Sequence, residues 1–290
     1  MKIHIMTDLE GPSGTNGRSD GIGNKTVNLP VACQVLTEEV NACIEGLVAA
    51  GADQVVVWDG HGGSNSIDIT RLHPAAELGT IGGDLYPVTF LDASYDAAIQ
   101  IGAHAMQGVA DGYMNHTFSS HSIANMWLNG ERVGEIGMGI WKAAYFGVPT
   151  ILVSGDDAAC REARACLPEG VTTVSTKHSI SRYTVINRHP AAVRADLRAA
   201  AEQALRRLAA FRAKPLPATF ELTVQMMCPN TADVWEKRGA ERLDHMTVRF
   251  RGADLVDVWS QHCGWAPGVH NRKFAISPAL NRPWTGPGPA

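Results

Sequence analysis

The sequence predicts an α/β protein: a largely parallel sheet flanked by helices in three layers, with a smaller C-terminal α+β subdomain. Three observations predict it. Short apolar runs alternate with segments of helical periodicity along most of the chain. The runs "VVVW", "AIQIGA" and "TILVSG" lack polar alternation, as strands covered on both faces do. Beyond Lys214-Pro215-Leu216-Pro217 the pattern changes to half-exposed strands and short helices.

The elements follow in order. "KIHIMTD" reads as a first strand. "LPVACQVLTEEVNACIEGLVAAG" has apolar residues at helical spacing and ends at Gly51. "DQVVVWDG" and "AAIQIGA" are buried strands. "ANMWLNGERVG" carries Asn129-Gly130 between two short runs, a hairpin signal. "EIGMGIWKAAYFG" is a helix stopping at Gly147, "VPTILVSGDD" a buried strand, "AACREARACL" a helix and "VTTVSTK" a strand. "PAAVRADLRAAAEQALRRLAAF" is an amphipathic helix with Pro190 in its first turn. After the Pro-rich linker, "TFELTVQM" and "MTVRFRG" alternate like strands, and "TADVWEKR" and "ADLVDVWSQHC" read as helices. The expected organisation is an α/β domain over 1–213, an α+β subdomain over 214–263 and an irregular Pro/Gly-rich tail over 264–290.

Composition narrows the function. The 290 residues are 45% hydrophobic and 19% charged, with a net charge of -4, which is ordinary globular composition. A pI near 6.2 leaves no basic footprint for nucleic acid. No apolar run is long enough to span a bilayer. "MKIHIMTD" enters a strand without a signal-like segment, so a cytoplasmic location is the default. None of the six cysteines forms a C-x-x-C pair; they read as free buried thiols.

Open α/β sheets bind ligands beyond the carboxyl ends of their strands. The first strand is followed by Asp8 and Glu10, which alternation puts on one face with Cα atoms roughly 6–7 Å apart. Two carboxylates so close repel. Solvation at a strand end relieves this; so does a cation. The next strand ends in Asp59 and then His61, and the next is followed by His104. Three strands thus deliver metal-competent groups at one edge, among small residues such as Gly60 and Gly102 that permit close approach. Each residue also has a plain reading. Asp59 suits a turn before Gly60, a histidine after a strand suits a surface, and Glu135 at a helix start complements the helix dipole. His116 and His121 lie in a polar segment. Asp156 and Asp157 read best as caps of the following helix. On spacing alone, a metal site and a set of separate capping residues both stay open.

The ordered motifs "TDLEG", "DGH", "GAHA", "MNHT", "GEIG" and "VSGDD" resemble those of metallopeptidase family M55, the D-aminopeptidases of the DppA type, from residue 1 to about residue 262. The resemblance implies a site for two Zn2+ per subunit, with Asp8, Glu10, His61, His104 and Glu135 as ligands and Asp8 bridging. His116 in "MNHT" matches the family's catalytic histidine, and a ring-forming homo-oligomer, a decamer, is implied. The family's Asn-Asp-Ser-His is Trp58-Asp59-Gly60-His61 here, and the tail has no counterpart. A carboxylate–imidazole set suits zinc. In two-metal hydrolases, ions about 3.5–4 Å apart activate water and polarise the scissile carbonyl. The implied activity is hydrolysis of an amide next to a free amino terminus, by a D-aminopeptidase or amino-acid amidase on small peptides or amides. His116 serves as acid–base or oxyanion group rather than nucleophile, and Asp59 is a candidate to orient a histidine ligand.

Other readings are weaker. "GPSGT" and "GGSNS" miss the G-x-S-x-G elbow. "GIGNKT" lacks the glycine a P-loop needs before Lys25, and no G-x-G-x-x-G follows a strand. A relative acting on another amide or lactam, a two-metal phosphoesterase and a metal-stabilised assembly protein remain as alternatives.

Overall fold

A computed structural model describes residues 1–19, 24–27, 29–62, 65–81 and 90–264; the expected tail, apart from Gly264, lies outside them. The chain runs β1 (Lys2–Thr7), β2 (Asn16–Ser19), β3 (Asn24–Val27), α1 (Leu29–Ala49), β4 (Gln54–Asp59), β5 (Ala76–Gly79) and β6 (Ala97–Ala103). It continues through β7 (Ile123–Leu128), β8 (Glu131–Arg132), α2 (Glu135–Tyr145), β9 (Thr150–Asp156), α3 (Asp157–Cys166), β10 (Thr172–Ser181), β11 (Thr184–Asn187) and α4 (Pro190–Arg206). It ends with β12 (Phe220–Met226), α5 (Pro229–Lys237), β13 (Glu241–Arg242), β14 (Thr247–Gly252) and α6 (Leu255–His262).

The main sheet has the order β11-β10-β9-β6-β1-β4-β5. Every pairing in it is parallel except β10 with β11. Period-2 alternation divides β1 between two layers. Ile3 and Ile5 join Val55, Val57, Ile99 and Ile101 beneath α1 and α4, packed on Leu36, Val40, Ile44, Leu47, Val193 and Leu197. Each such fully buried aliphatic side chain stabilises the fold by about 1.5–3 kcal/mol. On the other face, Val153 and Ala103 pack against Ile136 and Ile140 of α2 and Ala159 and Ala163 of α3. β6 and β9 are buried throughout, as their apolar runs predict. β4 differs from the expectation: Gln54, Val56 and Trp58 are only half-buried. The helices on that face lie over β6, β9 and β10 instead, leaving this side of β4 thinly covered.

A second, antiparallel sheet has the order β13-β14-β12-β7-β8. It includes the expected hairpin, whose turn residues Asn129 (φ 50°) and Gly130 (φ 80°) are both left-handed. Leu128 and Met126 pair with Leu222 and Val224, so this sheet joins residues on both sides of the 213/214 boundary. The expected C-terminal unit is therefore completed by a hairpin from within the first segment. Met138 and Trp141 of α2 enter its core beside Trp259 of α6, so α2 packs on both sheets. All six cysteines are free; Cys228 is exposed rather than buried, at the N-cap of α5. No described helix is long and apolar enough to cross a membrane.

Candidate metal centre

Strand register sets the geometry. Thr7 stands opposite both Asp59 of β4 and Ile101 of β6, so the chain leaves all three strands at one edge. The backbone N–H of Asp8 donates to the Ile101 carbonyl at 2.9 Å, and that of Gly11 to the Gly102 carbonyl at 2.8 Å. Gly102 allows this contact. It has φ +77°, and a Cβ there would lie 2.2 Å from the Asp8 carbonyl oxygen.

The side chains meet above that edge. Asp8 Oδ1 lies 3.0 Å from His61 Nδ1, and Asp8 Oδ2 lies 3.2 Å from His104 Nε2. Glu10 Oε2 approaches the same His61 nitrogen at 3.1 Å. Glu135 Oε1 is 3.2 Å from His104 Nε2 and 3.6 Å from His116 Nε2. The His104 and His116 rings stack with centroids 4.0 Å apart. Among the described residues, Asp8, Glu10 and His104, and likewise His104, His116 and Glu135, bring their donor atoms within 4.8 Å of one another, and His61 joins the first group through Asp8 and Glu10. All five residues implied as ligands, with His116, are thus brought together. His121 is exposed.

The donor set fits a divalent metal. His104 Nδ1 lies 3.0 Å from the Ala105 carbonyl and His116 Nδ1 2.9 Å from that of Met114. A carbonyl only accepts, so each Nδ1 carries a hydrogen, and Nε2 is the atom that meets the carboxylates. A neutral imidazole would then aim a lone pair at anionic oxygens, which requires a proton or a metal ion between them. The electrostatics say the same. Burial and the nearby Glu10 push the Asp8 carboxyl up. Burial also opposes the charged forms of Glu10 and Glu135, but their histidine neighbours outweigh it and hold both below the usual range. Burial lowers the His61 imidazole, yet its hydrogen bonds to Asp8 and Glu10 prevail and push it up to about 11. His104 is likewise raised, against burial, by Glu135 and Asp8.

The loop bearing His116 is anchored at several points. Tyr113 N–H donates to Asp156 Oδ2 at 2.6 Å, while Asp156 Oδ1 caps α3 by accepting from Ala159 N–H at 2.7 Å. The expected cap is therefore present and has a second use. Met114 (φ 48°) and Phe118 (φ 54°) flank His116 in left-handed conformations unusual outside glycine. Phe118 N–H donates to Glu135 Oε1 at 2.7 Å, so Glu135 serves the site as well as the helix start. Glu162 of α3 accepts from Met106 N–H at 2.8 Å, two residues after His104; burial, which outweighs that hydrogen bond, pushes its carboxyl up to about 7. Asp59 Oδ2 accepts from the N–H groups of Asn65, Ser66 and Ile67 at 2.6–3.0 Å, pinning the chain beyond His61. That is the turn chemistry its place before glycine suggests.

Sequence reasoning missed Lys177, Thr176, Tyr113, Glu39 and Glu162 as neighbours of the site. For the first two a signal existed. Lys177 stands opposite Asp156, with Thr176 just before it, at the same edge of the sheet where β1, β4, β6 and β9 deliver their polar residues.

The family model Peptidase_M55, described as D-aminopeptidase, matches residues 1–262. A curated D-aminopeptidase from Bacillus subtilis (strain 168) is 34% identical over 188 residues, a match spanning 64% of this chain and 66% of the relative. A solved structure described as "Zn-dependent D-aminopeptidase DppA from Bacillus subtilis, a self-compartmentalizing protease" is 27% identical with a TM-score of 0.83. That superposition covers 96% of this chain and 99% of the other.

Proposed function

The chain belongs to the M55 peptidase family of D-aminopeptidases, and from that premise we propose that it is a zinc-dependent aminopeptidase. It cleaves an amide next to the free amino terminus of a small peptide or amino-acid amide. The observation that carries this reading is the position of Asp8, with one carboxylate oxygen toward His61 and the other toward His104. Two zinc ions per subunit suit that arrangement. Asp8, Glu10 and His61 would hold one, Asp8, His104 and Glu135 the other, and Asp8 would be shared. Zinc at such donors supplies Lewis acidity toward water and the amide carbonyl.

This chain's own residues account for the remainder. His116 presents Nε2 to the site while Nδ1 is fixed on the Met114 carbonyl. With Nδ1–H kept on the carbonyl, Nε2 is the atom that takes up a second proton, and the resulting imidazolium is placed to give that proton to the leaving amine or to hold the developing oxyanion. The His116 ring stacks on His104, on a loop whose residues Met114 and Phe118 are left-handed. Glu135 is held by Phe118 N–H, which ties the His116 loop to the metal ligands. Asp59 pins the loop after His61 and does not need to touch substrate.

The relative described as self-compartmentalizing supports a homo-oligomer here as well; sedimentation at a single-subunit mass would refute it. Activity is tested with paired D- and L-aminoacyl amides and short peptides offered to the zinc-loaded protein. Release of D-residues from the amino terminus, abolished by a chelator, is expected. Turnover of phosphoesters with none of amides would replace this reading by a two-metal phosphoesterase.

A further inference from the structure

The Glu10 loop, residues 10–15, is held from below by two adjacent residues of β10. Lys177 is fully buried, and its Nζ donates to the Glu10 carbonyl at 2.9 Å and the Thr15 carbonyl at 3.1 Å. Thr176 is also fully buried; its hydroxyl, with one hydrogen to give, lies within hydrogen-bond reach of both the Gly11 carbonyl and, at 3.0 Å, the Gly155 carbonyl. Neighbours on a regular strand point to opposite faces. Here the register of β10 against β9 shifts between Ser175 and Lys177. That bulge redirects both side chains into one loop, the use to which bulges near active sites are often put.

Two further contacts extend the arrangement. Ser13 N–H donates to Glu39 Oε1 of α1 at 2.8 Å, fixing the middle of the loop. The Lys177 ammonium lies 4.7 Å from the Tyr113 ring centroid, three residues before His116. One buried cation therefore touches the loop of a proposed metal ligand and the loop of the proposed catalytic histidine.

We propose that the β10 bulge is a positioning device for the reaction: Thr176 and Lys177 fix the Glu10 loop against the Tyr113 loop, and so set how Glu10 meets His61 and where His116 stands. This rests on the metal-centre reading above. A lysine suits the task because its ammonium donates to several carbonyls at once. Removing it leaves two carbonyls with an unmet demand in a region closed to water.

The test uses the full chain, with Thr176→Val, which keeps the volume and removes the hydroxyl, and Lys177→Met. Zinc affinity is measured by competition with a chromophoric chelator, and the visible spectrum is recorded with cobalt(II) in place of zinc. Both variants are expected to bind zinc 10–100-fold more weakly, as loss of groups that support metal ligands does. The cobalt bands should shift, and kcat at saturating metal should fall more than KM changes. A residue needed only for folding would lower the melting temperature and leave the affinity and cobalt spectrum of the folded protein unchanged; that result overturns the proposal. If Lys177→Met does not fold by circular dichroism, Thr176→Val alone decides. A wild-type chain that binds no zinc would instead overturn the metal-centre reading.

Discussion

Asp8 and Glu10 show how far single residues can be read. Their spacing implies a shared face and a repulsion that needs relief, and both do converge on His61 Nδ1, at 3.0 and 3.1 Å. Spacing could not say what relieves it, because the histidines come from other strands. Glu135 illustrates a different limit. A helix-start carboxylate has an adequate local explanation, and only the fold shows its Oε1 beside His104, His116 and Phe118 N–H. His116 was legible by resemblance alone, since nothing in "MNHT" distinguishes it from a surface histidine. Replacing His116 by Ala should lower kcat about 100-fold or more, in line with acid–base contributions, with zinc content unchanged by elemental analysis. Wild-type turnover in that variant would remove His116 from the mechanism.

At the scale of elements, the strands and their ends were legible because apolar runs stop where the register stops. β6 occupies Ala97–Ala103, the residues read from the sequence. The β10 bulge and the antiparallel β11 were not legible. "SRYT" carries no glycine or proline to mark a turn, and a bulge follows from the partner strand rather than from local pattern. Backbone approach at the edge gives a direct prediction. Gly102→Ala would put a Cβ into the Asp8 carbonyl at a positive φ. Unfolding in urea should show a loss beyond the ~1–2 kcal/mol that left-handed geometry alone imposes on alanine, together with loss of zinc. Gly130→Ala is the control. It has φ +80° with nothing within 4 Å of the added carbon, so it should cost only that conformational term and keep its metal. Equal effects in the two variants would mean that the close contact at Gly102 does not matter.

On the scale of the molecule, the sequence indicates two kinds of sheet but not how they join. β7 pairs with β12 across more than ninety positions, and local periodicity carries no information about partners. α2 links them, with Glu135 in the candidate centre and Met138 and Trp141 in the second core. His262 of α6 lies in that core, stacked on Trp235, with Lys142 of α2 close enough to oppose its charge. Burial first, then Lys142, lowers its imidazole to about 4 from an ordinary 6.5. The unfolded chain takes up this proton at a higher pH than the folded one. Stability from this group is therefore intact above pH 6.5 and is lost as pH falls toward 4. The change amounts to ~3 kcal/mol, the linkage value for such a shift. His262→Leu lacks it, so the stability difference between variant and wild type, measured by denaturant unfolding, should move by that amount between pH 7 and pH 4. A constant difference would show that His262 protonates normally in the folded state. The fold as a whole brings acidic and imidazole groups together at one sheet edge, where the proposed pair of zinc ions would bind. The most direct measurement is zinc stoichiometry by elemental analysis of the wild-type chain and of Asp8→Ala. Two zinc ions per chain in the first and almost none in the folded second are predicted; two ions retained without Asp8 would contradict the shared-carboxylate centre.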